Sequence, residues 1–144
     1  YAGEAPNGFT SGKPWLPVKP NHSALAVAVQ NDDPDSTLAF YRAALKFRRE
    51  HDALIDGEIE FFTVGEPLLA FRRRNESESL VCLYNLSPNP VRVTLTGEAE
   101  ALLSQDAGRK KDKLTLGPNG FAVFAETAVM PLQVRFRGKS AKQA

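Results

Sequence analysis

Apolar residues recur at helical spacing over one stretch of this chain and at strand spacing over most of the remainder. Between Asp33 and His51, Leu38, Tyr41 and Leu45 fall on one side of a helix, Phe40, Ala44 and Phe47 widen that stripe, and Arg42, Lys46, Arg49 and Glu50 lie mostly elsewhere. The pattern predicts one amphipathic helix over 36–50. Ser36 or Asp35 can cap it, since a short side-chain oxygen there accepts from an orphan N–H of the first turn. Basic residues crowd its second half, where cations suit the negative end of the helix dipole, and Gly57 comes shortly after its end. A stripe of this width needs a surface to cover.

Ahead of the helix the chain reads as loop. Gly3, Pro6, Gly8, Gly12, Pro14, Pro17 and Pro20 break residues 1–24 into turns, leaving Phe9, Trp15 and Leu16 as large apolar anchors. Trp15 reads either as packing on a neighbouring domain or, with Phe9, as lining a sugar-binding cleft, because aromatic faces stack on pyranose rings much as they pack in cores. The run Leu25-Ala26-Val27-Ala28-Val29 fits a strand or an anchored approach to the helix. Asn31, Asp32, Asp33 and Asp35 cluster oxygens, but they lack the glycine and distal glutamate of a calcium loop and read as capping residues.

After the helix the period changes to two. Segments 58–64 and 68–73 flank Gly65-Glu66-Pro67, a hairpin turn, and 80–86 is the most apolar run and so a central strand. Cys82 within it reads as a small buried hydrophobe rather than a nucleophile, which would need an exposed, electropositive setting. Ser87-Pro88-Asn89-Pro90 turns the chain into 91–95, where Val91, Val93 and Leu95 alternate with polar residues. Segments 101–103, 113–116, 121–125 and 132–136 continue the series, with Gly117-Pro118-Asn119-Gly120 as a turn and a polar, basic, mobile tail at the end. The expected fold is mainly β: an antiparallel β-sandwich of two sheets over 57–144, preceded by an extended arm and one helix in 1–56.

Composition narrows the partners. The 144 residues fit one domain or a small domain with an appendage, and 42% apolar content is that of a core-former. A net charge of +1 gives no overall field to draw nucleic acid or acidic lipid, so neither nucleic acid nor membrane is expected as a partner. Arg109-Lys110-Lys111-Asp112-Lys113 reads as a solvated loop, without the interleaved aromatic residues that base stacking needs. Cys82 is the single cysteine, which excludes an internal disulfide and suits a cytoplasmic setting. No run reaches membrane-spanning length and no signal-peptide pattern opens the chain. Met130 is the only methionine, so residues are expected to have preceded Tyr1.

Catalytic chemistry finds no foothold. His22 lies in a Pro/Asn-rich turn, and His51 ends the helix, where a charged imidazole is stabilising in its own right. There is no phosphate loop, nucleophile elbow or zinc signature, and no two acids are spaced so as to be nominated as acid and base. The residues alone therefore indicate no catalytic residue, no metal ligand and no cofactor, and leave any substrate-binding residue unknown.

Ordered motifs say more. Asn7-Gly8-Phe9-Thr10, then Lys13-Pro14-Trp15-Leu16-Pro17-Val18, then Asp33-Pro34-Asp35-Ser36 opening a helix with Phe40-Tyr41-Arg42 and Arg48-Arg49, then Asp56-Gly57, together resemble the C-terminal part of α-glucosidases of glycoside hydrolase family 13. The likeness spans residues 7–95, including Leu69-Ala70-Phe71-Arg72 and Val81-Cys82-Leu83-Tyr84-Asn85-Leu86; beyond that it is compositional. The group includes oligo-1,6-glucosidases and glucosyl-transferring enzymes.

The resemblance implies that residues 1–56 are the last loop and closing helix of a (β/α)8 barrel and that 57–144 form the antiparallel domain packed against it. It implies retaining hydrolysis or transfer of terminal α-linked glucose, by an Asp nucleophile, a Glu acid/base and a second, stabilising Asp, with the paired carboxyls about 5 Å apart. In the family all three lie upstream of the matching region. Asn21-His22 is followed by Ser23 rather than the Asp of the family's Asn-His-Asp motif, so no catalytic residue is carried over. The implied partner is the remainder of the barrel, and an α-glucosidic oligosaccharide is the implied substrate of the parent enzyme. Two rivals stand beside this reading, a structural interaction module and an independent carbohydrate-binding sandwich. The latter would need an exposed platform drawn from Phe61, Phe62, Phe71, Tyr84, Phe121 and Phe124.

Overall fold

A computed structural model describes residues 10–136, and the chain divides into two units between Glu50 and His51. Asn7, Gly8 and Phe9 of the arm motif, and the basic tail after Phe136, lie outside the described residues.

The first unit is helical. A 3₁₀ turn at Pro20–Leu25 leads into α1 (Val27–Asn31), and α2 spans Thr37–Glu50. The apolar run at 25–29 is thus helical, not a strand: its backbone bonds close locally, as in Gln30 N–H to the Ala26 carbonyl at 3.0 Å. Gln30 then joins the two helices, its Nε2 donating to the Leu25 carbonyl at 2.6 Å and its Oε1 accepting from Leu38 N–H at 3.1 Å. Ser36, buried, is the cap of α2, because its Oγ accepts from Ala39 N–H at 3.1 Å while donating to the Gln30 carbonyl at 2.7 Å. The Asx residues beside it act locally too: Asp33 Oδ1 accepts from Asp35 N–H at 2.9 Å, and the Asn31 amide oxygen accepts from Arg42 at 2.8 Å. Along α2, Tyr41 and Leu45 are 60% and 56% exposed.

The second unit is a seven-stranded antiparallel sheet. Its strands are β1 (Glu58–Phe61), β2 (Leu68–Arg74), β3 (Ser79–Asn85), β4 (Val91–Thr96), β5 (Ala99–Lys110), β6 (Lys113–Glu126) and β7 (Gln133–Arg135). The expected pair of sheets is one sheet with two wings. The wings meet in β6, whose second half, 121–125, pairs with β3 and whose first half, 113–116, pairs with β4. β5 runs beside β6 through both halves, with the register broken between Gln105 and Ala107. Gly117-Pro118-Asn119-Gly120, expected to end a strand, instead forms the bend within β6, opposite Asp106, and Asn119 and Asp106 take positive φ of 53° and 49° there. β5 is longer than the 101–103 expected, so Arg109 and Lys110 belong to a strand and the turn is Lys111-Asp112.

Alternation explains the core. Leu68 and Ala70, Val81 and Leu83, and Ala122 and Phe124 from one wing meet Val91, Val93, Leu95, Leu114 and Leu116 from the other, with Leu132 and Val134 closing one end. Asn85 is the buried polar exception at the bend: its Nδ2 donates to the carbonyls of Asn89 and Gly117, both at 2.7 Å, and its Oδ1 accepts from Ser87 N–H and Oγ at 3.1 and 2.9 Å.

Candidate functional site

One carboxylate is almost enclosed by the β unit. Glu126, at the end of β6, receives Nε and Nη2 of Arg72 on its two oxygens, Ser79 Oγ at 2.6 Å and Leu132 N–H at 2.7 Å. Burial alone would push its pKa up, but these donors outweigh burial and hold it below the ordinary carboxylate range. Arg72 also donates to Glu60 at 2.8 Å and to the Leu132 carbonyl at 3.2 Å, and lies over the Phe62 ring. Burial works against its charge, yet the two carboxylates win and raise its pKa. The group borders an open cleft of about 470 Å³ edged by Arg74, Thr127 and Gln133. A general acid needs a raised pKa and a free proton. Glu126 instead has a lowered pKa and donors on both oxygens, an arrangement that ties β2, β3, β6 and the approach to β7 together.

The aromatic residues form a row on the opposite sheet face. Phe61 meets Phe71 edge-on at 5.8 Å, Phe71 stacks on Tyr84 at 5.9 Å, and Tyr84 stacks on Phe121 at 5.7 Å. Tyr84, between the other two rings of the stack, has a ring against each face, so neither face is open to a pyranose. Phe124 is in the core and Phe62 is half-buried beneath Arg72; Phe61 alone of the six is more than half exposed, at 62%. The row is therefore a packed ladder rather than a sugar platform.

The other nominated positions are dispersed. Trp15 is 96% exposed and His22 is exposed in the 3₁₀ turn. His51 comes directly after α2 and places Nδ1 2.8 Å from Glu78 Oε2, while Glu78 Oε1 accepts Ala53 N–H at 2.9 Å. That clasp fastens the start of the second unit to the β2–β3 turn. Cys82 is 1% exposed, and burial pushes its thiol pKa up to about 12, the setting of an inert side chain. Among the described residues no three His, Cys, Asp or Glu side chains group closely enough to hold a metal, and no helix is long and apolar enough to cross a membrane. Sequence reasoning missed Arg72, Asn85 and Glu126. Their signal was parity: each is the polar member of an alternating set whose other members, Ala70, Leu83 and Phe124, are in the core.

Comparison with known proteins gives these parts a context. Residues 2–57 match the family described as "Alpha amylase, catalytic domain", and residues 70–126 match "Beta-galactosidase C-terminal domain". A probable α-glucosidase of Rhizobium meliloti is 48% identical over 80 residues, 56% of this chain and 14% of that protein. An oligo-1,6-glucosidase of Heyndrickxia coagulans is 40% identical over 85 residues, 58% of this chain and 15% of that protein. Among solved structures, an α-glucosyl transfer enzyme superposes with a TM-score of 0.78 at 38% identity, over 85% of this chain and 24% of that one. The chain thus spans a small fraction of the length of the proteins it resembles.

Proposed function

Because the chain is an α-glucosidase-like segment of glycoside hydrolase family 13, we propose that it is the non-catalytic C-terminal portion of a retaining α-glucosidase, one that hydrolyses or transfers terminal α-linked glucose from oligosaccharides. Residues 1–56 supply the last loop and closing helix of the (β/α)8 barrel, and residues 57–144 supply its antiparallel β domain. The remainder of the barrel is the partner, and a cytoplasmic setting is in keeping with the one buried cysteine.

The observation that carries this reading is the 48% identity to a probable α-glucosidase over 80 residues of the chain. The catalytic-domain match ending at residue 57 supports the division of labour. So does α2, whose exposed Tyr41 and Leu45 offer the apolar surface that a closing helix buries against barrel strands. The test is release of p-nitrophenol from p-nitrophenyl α-glucoside by this chain and by the full-length product of the same coding region. Activity in the longer protein alone is expected. Activity in this chain would overturn its non-catalytic role, and inactivity of both would overturn the α-glucosidase reading.

A further inference from the structure

Carboxylates are missing from the strands of one wing of the β unit. β4, β7, the 107–110 half of β5 and the 113–116 half of β6 contain no Asp or Glu. Their outward positions carry exposed cations: Lys110 is directly opposite Lys113, Lys113 is opposite Thr94, and Thr94 is opposite Arg135. Three cations therefore share one row across four strands, a span of about 14 Å. Arg92 stands in the adjacent row, facing Thr115, which in turn faces Gly108. Like charges directly across a ladder destabilise it. None of these four cations takes part in an ion pair among the described residues. The sheet tolerates a repulsion that it does not relieve internally.

We propose that this face docks peripherally on an anionic lipid bilayer. It presents no aromatic or aliphatic side chain, so it lacks both the apolar anchor of a protein interface and the stacking platform of a single-stranded nucleic acid. Its cations spread in two dimensions, as suits a charged plane, whereas a nucleic-acid duplex offers phosphates along two lines. Lys111 at the hairpin tip adds a fifth cation, beside Asp112, the one carboxylate of that turn. Basic clusters of that size are drawn to acidic headgroups. The near-zero net charge of the whole chain conceals this segregation.

The test is co-sedimentation of the 144-residue chain with vesicles of phosphatidylcholine, alone or mixed with phosphatidylserine. Binding only to the mixed vesicles, lost in high salt, is expected. Lys113→Glu should weaken that binding about tenfold or more, while relieving the repulsion from Lys110 so that thermal stability holds or rises; Lys113→Arg should bind like the native chain. No binding to the mixed vesicles, undiminished binding by Lys113→Glu, or retention by duplex DNA in preference to vesicles at the same salt would each overturn the proposal.

Discussion

Arg72 reaches across β3 to Glu126: its Nε and Nη2 donate to the two carboxylate oxygens although β2 and β6 are not neighbouring strands. Leu132 N–H and its carbonyl complete the group, so the pair also pins the crossing that leads into β7. The two side chains are only 12% and 4% exposed. Glu126→Gln keeps the shape but leaves a buried guanidinium without its main counter-charge, and should cost about 3 kcal/mol or more of unfolding free energy. Ser79→Ala removes a single donor and should cost about 1 kcal/mol. Urea midpoints of the two variants check the ranking.

The same pair sets an acid limit. Glu126 has a depressed pKa in the folded chain, so between that value and the unfolded value of about 4.3 the unfolded state binds the extra proton. Its contribution is therefore complete above about pH 4.3 and fades as pH falls through the folded pKa. The stability gap between the native chain and Glu126→Gln should be constant from neutral pH to about 5 and shrink below about 4, as read by thermal melts across that range.

Strand positions were legible because period-two alternation from Leu68 to Leu116 follows directly from burying one face. The helix and its Ser36 cap were legible for the same kind of local reason. The bend was not. Gly117-Pro118-Asn119-Gly120 has the composition of a hairpin turn, and only the long-range pairing of β6 with β3 and β4 makes it a corner inside one strand. Nor was the role of Arg72, because its partner Glu126 lies 54 residues away and the link between them is tertiary. The basic face was hidden likewise, since Arg92, Lys113 and Arg135 come together only through register.

Asn85 holds that corner closed. Its amide joins the Asn89 and Gly117 carbonyls, and its oxygen holds Ser87, at a site 2% exposed. Asn85→Ala strands two carbonyls and should cost about 2–4 kcal/mol, and Asn85→Asp should cost at least as much, because a carboxylate oxygen would face those carbonyls. Denaturant titration of both variants is the check. A loss below about 0.5 kcal/mol in either would mean that the corner does not depend on this side chain.

Two glycines on the same hairpin should respond in opposite ways. A methyl group at Gly120 would sit 2.6 Å from the Asp106 carbonyl oxygen and 3.1 Å from that of Gln105, both backbone atoms that can shift only by opening the bend. One at Gly108 would meet nothing within 4 Å. Gly120→Ala should lose about 1–3 kcal/mol to overpacking, whereas Gly108→Ala should stay within about 0.5 kcal/mol of the native chain. Melting temperatures of the pair separate a steric cause from any general effect of adding a methyl group to β5 or β6.

Cys82 reports on the integrity of the sheet from inside it. The side chain is 1% exposed on β3, between Phe71 of β2 and Val123 of β6 in register, and burial lifts its thiol pKa to about 12 despite the nearby charge of Arg73. At pH 8 almost no thiolate exists in the folded chain, and reagent cannot reach what does. Reaction with a disulfide dye should therefore proceed only through unfolding, with a rate that rises with urea in step with the unfolding transition. For Glu126→Gln, which loosens the far end of β6, labelling at low urea should be faster by the factor by which its unfolding equilibrium is raised. Rapid labelling of the native chain without urea would show instead that β3 opens locally, and that the ladder from Phe71 to Phe121 does not seal this face.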